Sequence, residues 1–425
     1  MRARPAESAP RAASAEGVRV VMDARPLQER EHAPITASYL ERLLSAYAAS
    51  PVTNESFVLL IRAFRGDPTV ALEERGLPVA GRRRLPPTSR VFRSAGLTLD
   101  SFLLRGAEVG TRAGGDDPTV AGSVYHTAGG AVPIKSGLPI VATVLDLAPW
   151  ELPERYAATA AARFGHRLRA RTLRDAVRLI VASRETALAV QRLLRIPATR
   201  IAVVPLAPDP IFRPDVADPE RIARLRARFD LPPRYLVFAG RYDARKDFGT
   251  LFDALAALRG QARAGSASGA AWPPIVVLAG AAGDEHRDSA AVARVARRAG
   301  VDDLVRLTPR LEMEDLAALQ AGAVAHVQPA LSDGTGLAAM EALAVGIPVV
   351  CSRVGALPEV VGPAGIIVEA RDPGRLATAL RAVWEEGAVA RQVTARARAR
   401  AVGPQRSWAD VAADTRTVYA AAIAG

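Results

Sequence analysis

Short apolar runs alternate with longer amphipathic stretches along most of the chain. The runs that predict buried strands are at residues 18–22, 57–61, 123–126, 140–146, 179–182, 201–205, 235–239, 275–280, 304–307, 323–327 and 349–351. Helical spacing of apolar residues fills many of the intervals, as at residues 36–48 and 312–321. Strands that alternate with helices predict an α/β fold with doubly wound parallel sheets, whose ligands gather at the carboxyl ends of strands. Residues 66–119 show no clear order of elements.

Residues 328–352 predict a loop, a helix, a turn and a strand. A run of Ser, Asp, Gly and Thr precedes apolar residues at helical spacing, so a helix should start near Gly336. The first amides of a helix lack partners and carry its positive dipole end, so an anion such as a phosphate fits there. Asp333 and Glu341 place two carboxylates beside that pocket, although two solvated surface acids would give the same pattern.

A second loop follows the predicted strand at residues 235–239. It begins at Gly240 and carries Arg241 and Lys246, the latter one of only two lysines in the chain beside Lys135. Two cations that face the helix start would complete a diphosphate site, arginine by forked hydrogen bonds and lysine as a point charge. The alternative is that both are ordinary solvated side chains.

The ends of three predicted strands in the first half carry further polar candidates. Asp23, His126 and Asp146 each stand where a parallel strand should end. They are therefore candidates for ligand binding or catalysis.

Length and composition limit the classes of protein. A chain of 425 residues is too long for one core and predicts two domains. A single cysteine excludes an internal disulfide and a multi-cysteine metal site, so Cys351 should be a small core residue. We expect a cytoplasmic protein, since no apolar run reaches about 20 residues and no signal peptide is recognisable.

The net charge of +12 is concentrated in the first half of the chain. Residues 1–206 hold 29 basic and 19 acidic side chains, against 27 and 25 in residues 207–425. Nucleic acid is not expected as a partner, because basic residues do not interleave with aromatic ones and no zinc spacing occurs. Residues 163–178, with six arginines, predict a basic amphipathic helix, which is either a solvated face or a peripheral contact with an anionic membrane.

The segment Asp333, Gly334, Thr335, Gly336, Leu337 and, four residues later, Glu341 resembles the Glu-Gly-Phe-Gly-Leu and Glu signature of family-4 retaining glycosyltransferases (glycosyltransferase group 1). Gly240, Arg241 and Lys246 match the cationic loop of that family. The resemblance covers residues 18–422 and is strongest in the second half.

The resemblance implies a GT-B fold, with two facing Rossmann-like domains and a C-terminal helix that crosses back to the first domain. It also implies a retaining, metal-independent transfer of a sugar, most simply a hexose, from a nucleotide-diphosphate donor to a glycan or lipid-linked acceptor in polysaccharide biosynthesis. No cofactor is implied, because the nucleotide sugar is a substrate.

The family's roles map onto single residues of this chain. Arg241 and Lys246 would hold the diphosphate, Glu341 the ribose hydroxyls and Asp333 the sugar hydroxyls. The amides from Gly334 to Leu337 would contact phosphate and sugar. The implied domains are a disordered tail at 1–16, an acceptor domain at 17–206, a donor domain at 207–404 and a returning helix at 405–425.

Two departures from the family pattern stand out. Residues 28–36 lack the family's glycine-rich turn, and Leu145 stands where a histidine commonly precedes the aspartate. Leucine cannot hydrogen-bond a C6 hydroxyl, which favours a 6-deoxyhexose or a pentose donor, unless His126 or Asp146 supplies the missing partner. A catalytically inactive GT-B accessory subunit and a GT-B nucleotide-sugar epimerase are the alternatives to an active transferase.

Overall fold

The computed structural model describes residues 17–86, 101, 104–105, 120–129, 131–263, 272–280 and 286–425. Its contacts divide the chain into two compact units. The first consists of residues 1–142, 175–178 and 416–425, and the second of residues 143–174 and 179–415. The tail expected at residues 1–16 lies outside the described residues, and the domain boundaries taken from the sequence stay predictions.

A seven-stranded sheet contains the first seven strands. They are β1 (Gly17–Asp23), β2 (Ser56–Arg62), β3 (Val79–Leu85), β4 (Val120–Ala128), β5 (Ile140–Val144), β6 (Arg178–Val181) and β7 (Ile201–Val203), in the order β3-β2-β1-β4-β5-β6-β7. The pairs β1–β2, β1–β4, β2–β3 and β6–β7 are parallel. The order reverses direction between β1 and β4, as in doubly wound folds.

A six-stranded sheet contains the remaining strands. They are β8 (Leu236–Ala239), β9 (Val276–Ala279), β10 (Val305–Thr308), β11 (Ala325–Gln328), β12 (Val349–Ser352) and β13 (Gly365–Val368), in the order β10-β9-β8-β11-β12-β13. All five pairs are parallel. This is the strand order of a Rossmann domain, with its switch point between β8 and β11.

Helices connect most of the strands. Those described are α1 (Pro34–Ala49), α2 (Val70–Glu74), α3 (Ala148–Glu151), α4 (Pro153–Tyr156), α5 (Ala160–Arg174), α6 (Arg184–Leu194), α7 (Pro219–Arg228), α8 (Phe248–Arg263), α9 (His286–Arg298), α10 (Met313–Ala321), α11 (Leu337–Ala344), α12 (Leu357–Val361), α13 (Pro373–Trp384), α14 (Ala388–Val402) and α15 (Trp408–Ile423). Together with the strand orders they confirm the prediction of two Rossmann-like, parallel-sheet domains.

Successive apolar side chains of a strand pack on opposite faces of the second sheet. Leu236 and Phe238 of β8 pack into one apolar cluster, whereas Val237 packs into another on the opposite face. Cys351 belongs to the second cluster and is fully buried, in agreement with its expected role as a small core residue. A strand buried on both faces reads as a continuous apolar run, which is why these strands were predictable.

The structure corrects three details of the sequence analysis. The basic helix ends at Arg174 rather than at Arg178, which begins β6. His126 lies inside β4, two residues before its end, and Asp146 follows the end of β5 instead of closing it. Within residues 66–119, where no order was predicted, the structure places α2 and β3, and most of the remainder lies outside the described residues.

The end of α15 belongs to the first unit, where its Arg416 pairs with a buried carboxylate. Arg416 Nε and Nη2 donate to the two oxygens of Glu55 over 2.9 and 2.7 Å, and Nη2 also donates to the Ser50 carbonyl. The guanidinium lies 4.7 Å from the ring centre of Tyr47. Because the Glu55 side chain is only 4% exposed, Arg416 is what compensates its buried charge.

Replacing Arg416→Met should lower the free energy of unfolding by about 3 kcal/mol, because it leaves the Glu55 carboxylate buried without its cation. Urea unfolding followed by circular dichroism measures the change. Arg353→Met is the matched control, since the Arg353–Glu369 pair is 55% and 60% exposed and should contribute about 0.5 kcal/mol or less. Equal losses in the two variants would contradict the role given to Arg416.

Candidate functional site

The switch point of the second sheet brings two loops together. The loop after β8 runs from Gly240 to Lys246, and the loop after β11 runs from Pro329 to Gly336. In doubly wound sheets the connections leave a switch point in opposite directions, and ligands bind in the crevice beyond the carboxyl ends of the strands there. Leu331 N donates to the Arg245 carbonyl over 2.7 Å and joins the loops directly.

An ion pair between Lys246 and Asp333 connects these two loops. Lys246 Nζ is 3.2 Å from Asp333 Oδ2, and the two side chains are 11% and 8% exposed. The lysine is presented by a single 3-10 turn, Ala244–Lys246, and its Nζ lies 5.9 Å from the ring centre of Phe238. The structure therefore brings together one predicted cation and one predicted carboxylate.

The other oxygen of Asp333 organises the start of α11. Asp333 Oδ1 accepts hydrogen bonds from the amides of Gly336 over 2.8 Å and Thr335 over 3.3 Å, and Thr335 Oγ1 accepts from the amide of Leu337. Gly336 has φ +63°, a conformation that glycine adopts without strain. The anion at these amides, which the sequence analysis expected to be a phosphate, is in this structure the Asp333 carboxylate itself.

The ionisation of this pair follows from burial and from neighbouring charges. Burial raises the pKa of Asp333, but Lys246, Arg245 and the bonds from Gly336 and Gln328 outweigh it, so the pKa lies well below its usual range. Burial lowers the pKa of Lys246, and the nearby Asp333 carboxylate offsets part of that shift. Asp333 is thus firmly anionic.

Arg245 is a buried cation that the sequence analysis did not single out. It is 5% exposed, and its Nη1 lies 3.3 Å from Asp146 Oδ2. Asp243 Oδ1 accepts from the Arg245 amide and from the Tyr156 hydroxyl over 3.0 and 2.5 Å. Its position next to Lys246 was the one feature of the sequence that could have indicated Arg245. The pairing with Asp146 could not be predicted, because Asp146 lies about a hundred residues away in the chain.

Gly334 allows a close approach between the α11 loop and the residues after β5. A Cβ atom on Gly334 would lie 2.4 Å from the carbonyl oxygen of Leu145, so no other residue fits without a backbone shift. Thr186 Oγ1 also donates to the Gly334 carbonyl over 3.2 Å. Leu145, which is 2% exposed, therefore lies directly against the predicted site.

The remaining predicted donor residues occupy the same edge of the second sheet. Gly240 follows β8 with φ +138°, and Arg241 beside it is exposed. Glu341 lies in the second turn of α11 and is buried, with 6% of its surface exposed. Their roles toward a donor stay predictions.

The three acidic and imidazole candidates near the first sheet have different surroundings. Asp23 is buried and pairs with Arg25 over 2.8 Å. His126 is completely buried and its Nδ1 lies 2.6 Å from the Tyr419 hydroxyl, while burial lowers its pKa to about 3. Asp146 belongs to the second unit, where Oδ1 accepts from the Ala148 amide and Oδ2 faces Arg245.

Two further observations concern metals and membranes. Among the described residues, no three His, Cys, Asp or Glu side chains are close enough to hold a metal ion together. Within the same part of the chain, every helix is too short or too polar to serve as a membrane span.

Comparison with known proteins places this site in a recognised family segment. The model of the family described as "Glycosyl transferases group 1" matches residues 233–386. That range contains both loops of the crevice, including Lys246, Asp333 and Glu341.

Curated relatives resemble part of the chain. The MMP alpha-(1->4)-mannosyltransferase of Mycolicibacterium hassiacum is 42% identical over 29% of this chain and 31% of its own length. The D-inositol 3-phosphate glycosyltransferase of Streptomyces avermitilis is 35% identical over 47% of this chain and 43% of its own length. The chain therefore spans about a third to just under half the length of the curated relatives it matches.

Solved structures resemble nearly the whole chain in fold. Sucrose-phosphate synthase from Thermosynechococcus elongatus superposes with a TM-score of 0.66 at 20% identity, covering 95% of this chain and 98% of that one. Anabaena HepE in complex with UDP superposes with a TM-score of 0.63 at 16% identity, covering 96% and 100%. The chain has the GT-B fold, and its residues 233–386 match the model of the glycosyl transferases group 1.

Proposed function

We propose that this protein is a retaining, metal-independent glycosyltransferase that moves a sugar from a nucleotide-diphosphate donor to a glycan or lipid-linked acceptor. The single observation that carries the proposal is the buried Lys246–Asp333 pair at the switch point of the second sheet. It combines a cation for a leaving diphosphate with a carboxylate for sugar hydroxyls, inside the segment that matches the family model.

Each role follows from the position and charge of its residue. Lys246 and the exposed Arg241 stabilise the negative charge that develops on the diphosphate as the glycosidic bond to the donor breaks. Asp333 accepts hydrogen bonds from hydroxyls of the transferred sugar, and Glu341 accepts them from the ribose. The leaving phosphate oxygen takes the proton of the acceptor hydroxyl, which makes the step independent of a protein base.

The names of the relatives support a hexose as the transferred group. Both curated relatives are named for glycosyl transfer, one of them for a mannosyl group. The Anabaena protein was solved with UDP, which makes UDP-linked sugars a first set of donors to test. GDP-linked and ADP-linked sugars complete the screen, with sugar transfer and donor epimerisation measured as separate products.

Lys246→Ala and Arg241→Ala should each lower kcat for sugar transfer by about 10² to 10³, because each removes a cation from the developing charge. Initial rates with the best donor of the screen measure the effect. Lys135→Ala, at the only other lysine, is the control and should retain full activity, since that side chain is exposed in the first unit. Near wild-type rates in both site variants would rule out the diphosphate assignment.

Leu145→His should shift donor preference toward hexoses with a C6 hydroxyl, and the wild-type protein should prefer their 6-deoxy counterparts. Leucine offers no hydrogen bond, and a hydroxyl buried without a partner costs about 1 to 3 kcal/mol, so the preference reaches about ten-fold. The alternative is that His126 or Asp146 supplies the missing hydrogen-bond partner for that hydroxyl. Ratios of kcat/KM for matched donor pairs decide the question, and an ordinary hexose preferred equally by both proteins contradicts it.

Helix α5 supports a peripheral contact with an anionic membrane. Its exposed face carries Arg163, Arg167, Arg171 and Arg174, and Phe164 beside them is 58% exposed. Arg169 instead lies over the Trp150 ring at 5.0 Å. Arg82 pairs with Asp67 and Glu73, so the triple arginine of β3 adds less to such a contact than its sequence suggests.

Replacing Arg167 and Arg171 together by alanine should weaken binding to acidic vesicles about 30-fold at low salt, since each arginine contributes about 1 kcal/mol near an anionic surface. Sedimentation with acidic and neutral vesicles measures the partition. The control removes the same charge from α9 through Arg297→Ala and Arg298→Ala, both exposed. Equal loss in the two double variants, or equal binding to both vesicle types, leaves α5 as a solvated face.

A further inference from the structure

A buried chain of hydrogen bonds leads from Asp333 back along β11. Gln328 Nε2 lies 2.9 Å from Asp333 Oδ2, and Gln328 Oε1 lies 3.1 Å from Nε2 of His326. His326 is 0% exposed, Gln328 1% and Asp333 6%. Residues two apart on a strand share a face, so β11 itself aligns the imidazole and the amide.

The chemistry of the three groups fixes where each proton lies. An ionised carboxylate only accepts hydrogen bonds, so the amide must present its NH₂ group to Asp333 and its oxygen to His326. That oxygen requires a donor, which places the imidazole proton on Nε2. Burial lowers the pKa of His326 to about 4, so the ring stays neutral at neutral pH.

We infer that Gln328 is a positioning residue for the donor site, and that His326 holds its amide in the productive orientation. The amide fixes the Asp333 carboxylate so that Oδ2 faces Lys246 while Oδ1 binds the amide of Gly336. This inference rests on the proposed function, because the carboxylate that it positions is the one assigned to the sugar.

A neutral donor suits this position better than a charged one. Asp333 Oδ2 already faces Lys246, and a second ammonium would compete with the lysine for the same oxygen. An apolar side chain would leave a buried carboxylate lone pair unsatisfied, which is costly. Glutamine satisfies the oxygen and leaves the full charge of the carboxylate for Lys246 and a ligand.

Other charged and titratable groups also face this carboxylate. They are Lys246 and Arg245 on the loop after β8, Asp243 and Asp146 around Arg245, His326 on β11 and Cys351 on β12. The wild-type protein contains all of them, so its own pH profile is the reference against which a variant at position 328 is compared.

Gln328→Glu tests the inference by making the amide contact depend on pH. The introduced carboxyl group can donate to Asp333 as the amide does while it is protonated, whereas its ionised form repels Asp333. Two adjacent carboxylates raise the pKa of one of them, which brings this titration toward neutral pH. We expect kcat/KM to fall about ten-fold or more between pH 5.5 and pH 8 relative to wild type. Gln328→Leu should lose a similar factor at every pH, because it has no proton to regain.

Gln320→Leu is the matched control. Gln320 in α10 is as buried as Gln328, yet among the described residues neither polar atom of its side chain has a hydrogen-bond partner. Its replacement should leave both kcat/KM and the pH profile unchanged. Thermal melting of each variant, and calorimetric titration with UDP, GDP and ADP, separate a lost fold from a lost contact.

The outcomes are distinct for the two proposals. Acid recovery of the Gln328→Glu variant, with loss in Gln328→Leu and none in the control, supports the inference. An active wild-type protein whose Gln328 variants keep its kcat/KM within two-fold, or whose Gln328→Glu variant keeps its pH profile, overturns the inference alone. A wild-type protein that binds none of the three nucleoside diphosphates and transfers no sugar overturns the proposed function as well.

Discussion

The Asp333 carboxylate is the group around which the second unit arranges the switch-point edge of its sheet. One oxygen binds the amides that begin α11, and the other faces Lys246 and Gln328. Taking a carboxylate and an ammonium out of water costs several kcal/mol per ion, and only good geometry with further hydrogen bonds offsets that cost. The two loops are therefore held at a defined spacing, because separating them would leave both charges buried and unpaired.

The fold was largely predictable because its strands are buried on both faces. Such strands read as unbroken apolar runs, and the runs around Val237, Val277, Val327 and Val350 each became a strand of the second sheet. The loop at Asp333 to Gly336 was predictable for another reason, since its glycines and its carboxylate act on neighbouring residues. Interactions between residues close in the sequence can therefore be recognised from the sequence.

Contacts between residues far apart in the chain could not be recognised from the sequence in this way. Arg245 looks like any surface cation until Asp146 comes within 3.3 Å of it. The arginine spacing continued past Arg174, but the helix ends there because Val177 N donates to the Ile140 carbonyl and the chain enters the first sheet. Helix periodicity was thus a weaker determinant than strand pairing with a distant segment.

His126 is a second residue whose surroundings could not be predicted from the local sequence. A histidine near the end of an apolar run was read as a candidate for chemistry, yet the ring is buried inside β4, with Tyr419 at its Nδ1 and at its edge. Tyr419 lies nearly three hundred residues away in the sequence, so the residues around His126 do not predict this contact. Its catalytic role stays a prediction, and burial keeps the ring neutral.

The charges near the Lys246–Asp333 pair explain why the exposed Arg241 is included in the proposed diphosphate site. The carboxylates of Asp146, Asp243 and Asp333 lie beside the buried cations of Arg245 and Lys246. A diphosphate adds more negative charge to that cluster, which the helix start at α11 offsets only in part, because Asp333 already binds its first amides. In the proposed function, the exposed Arg241, two residues after the end of β8, adds positive charge for such a ligand.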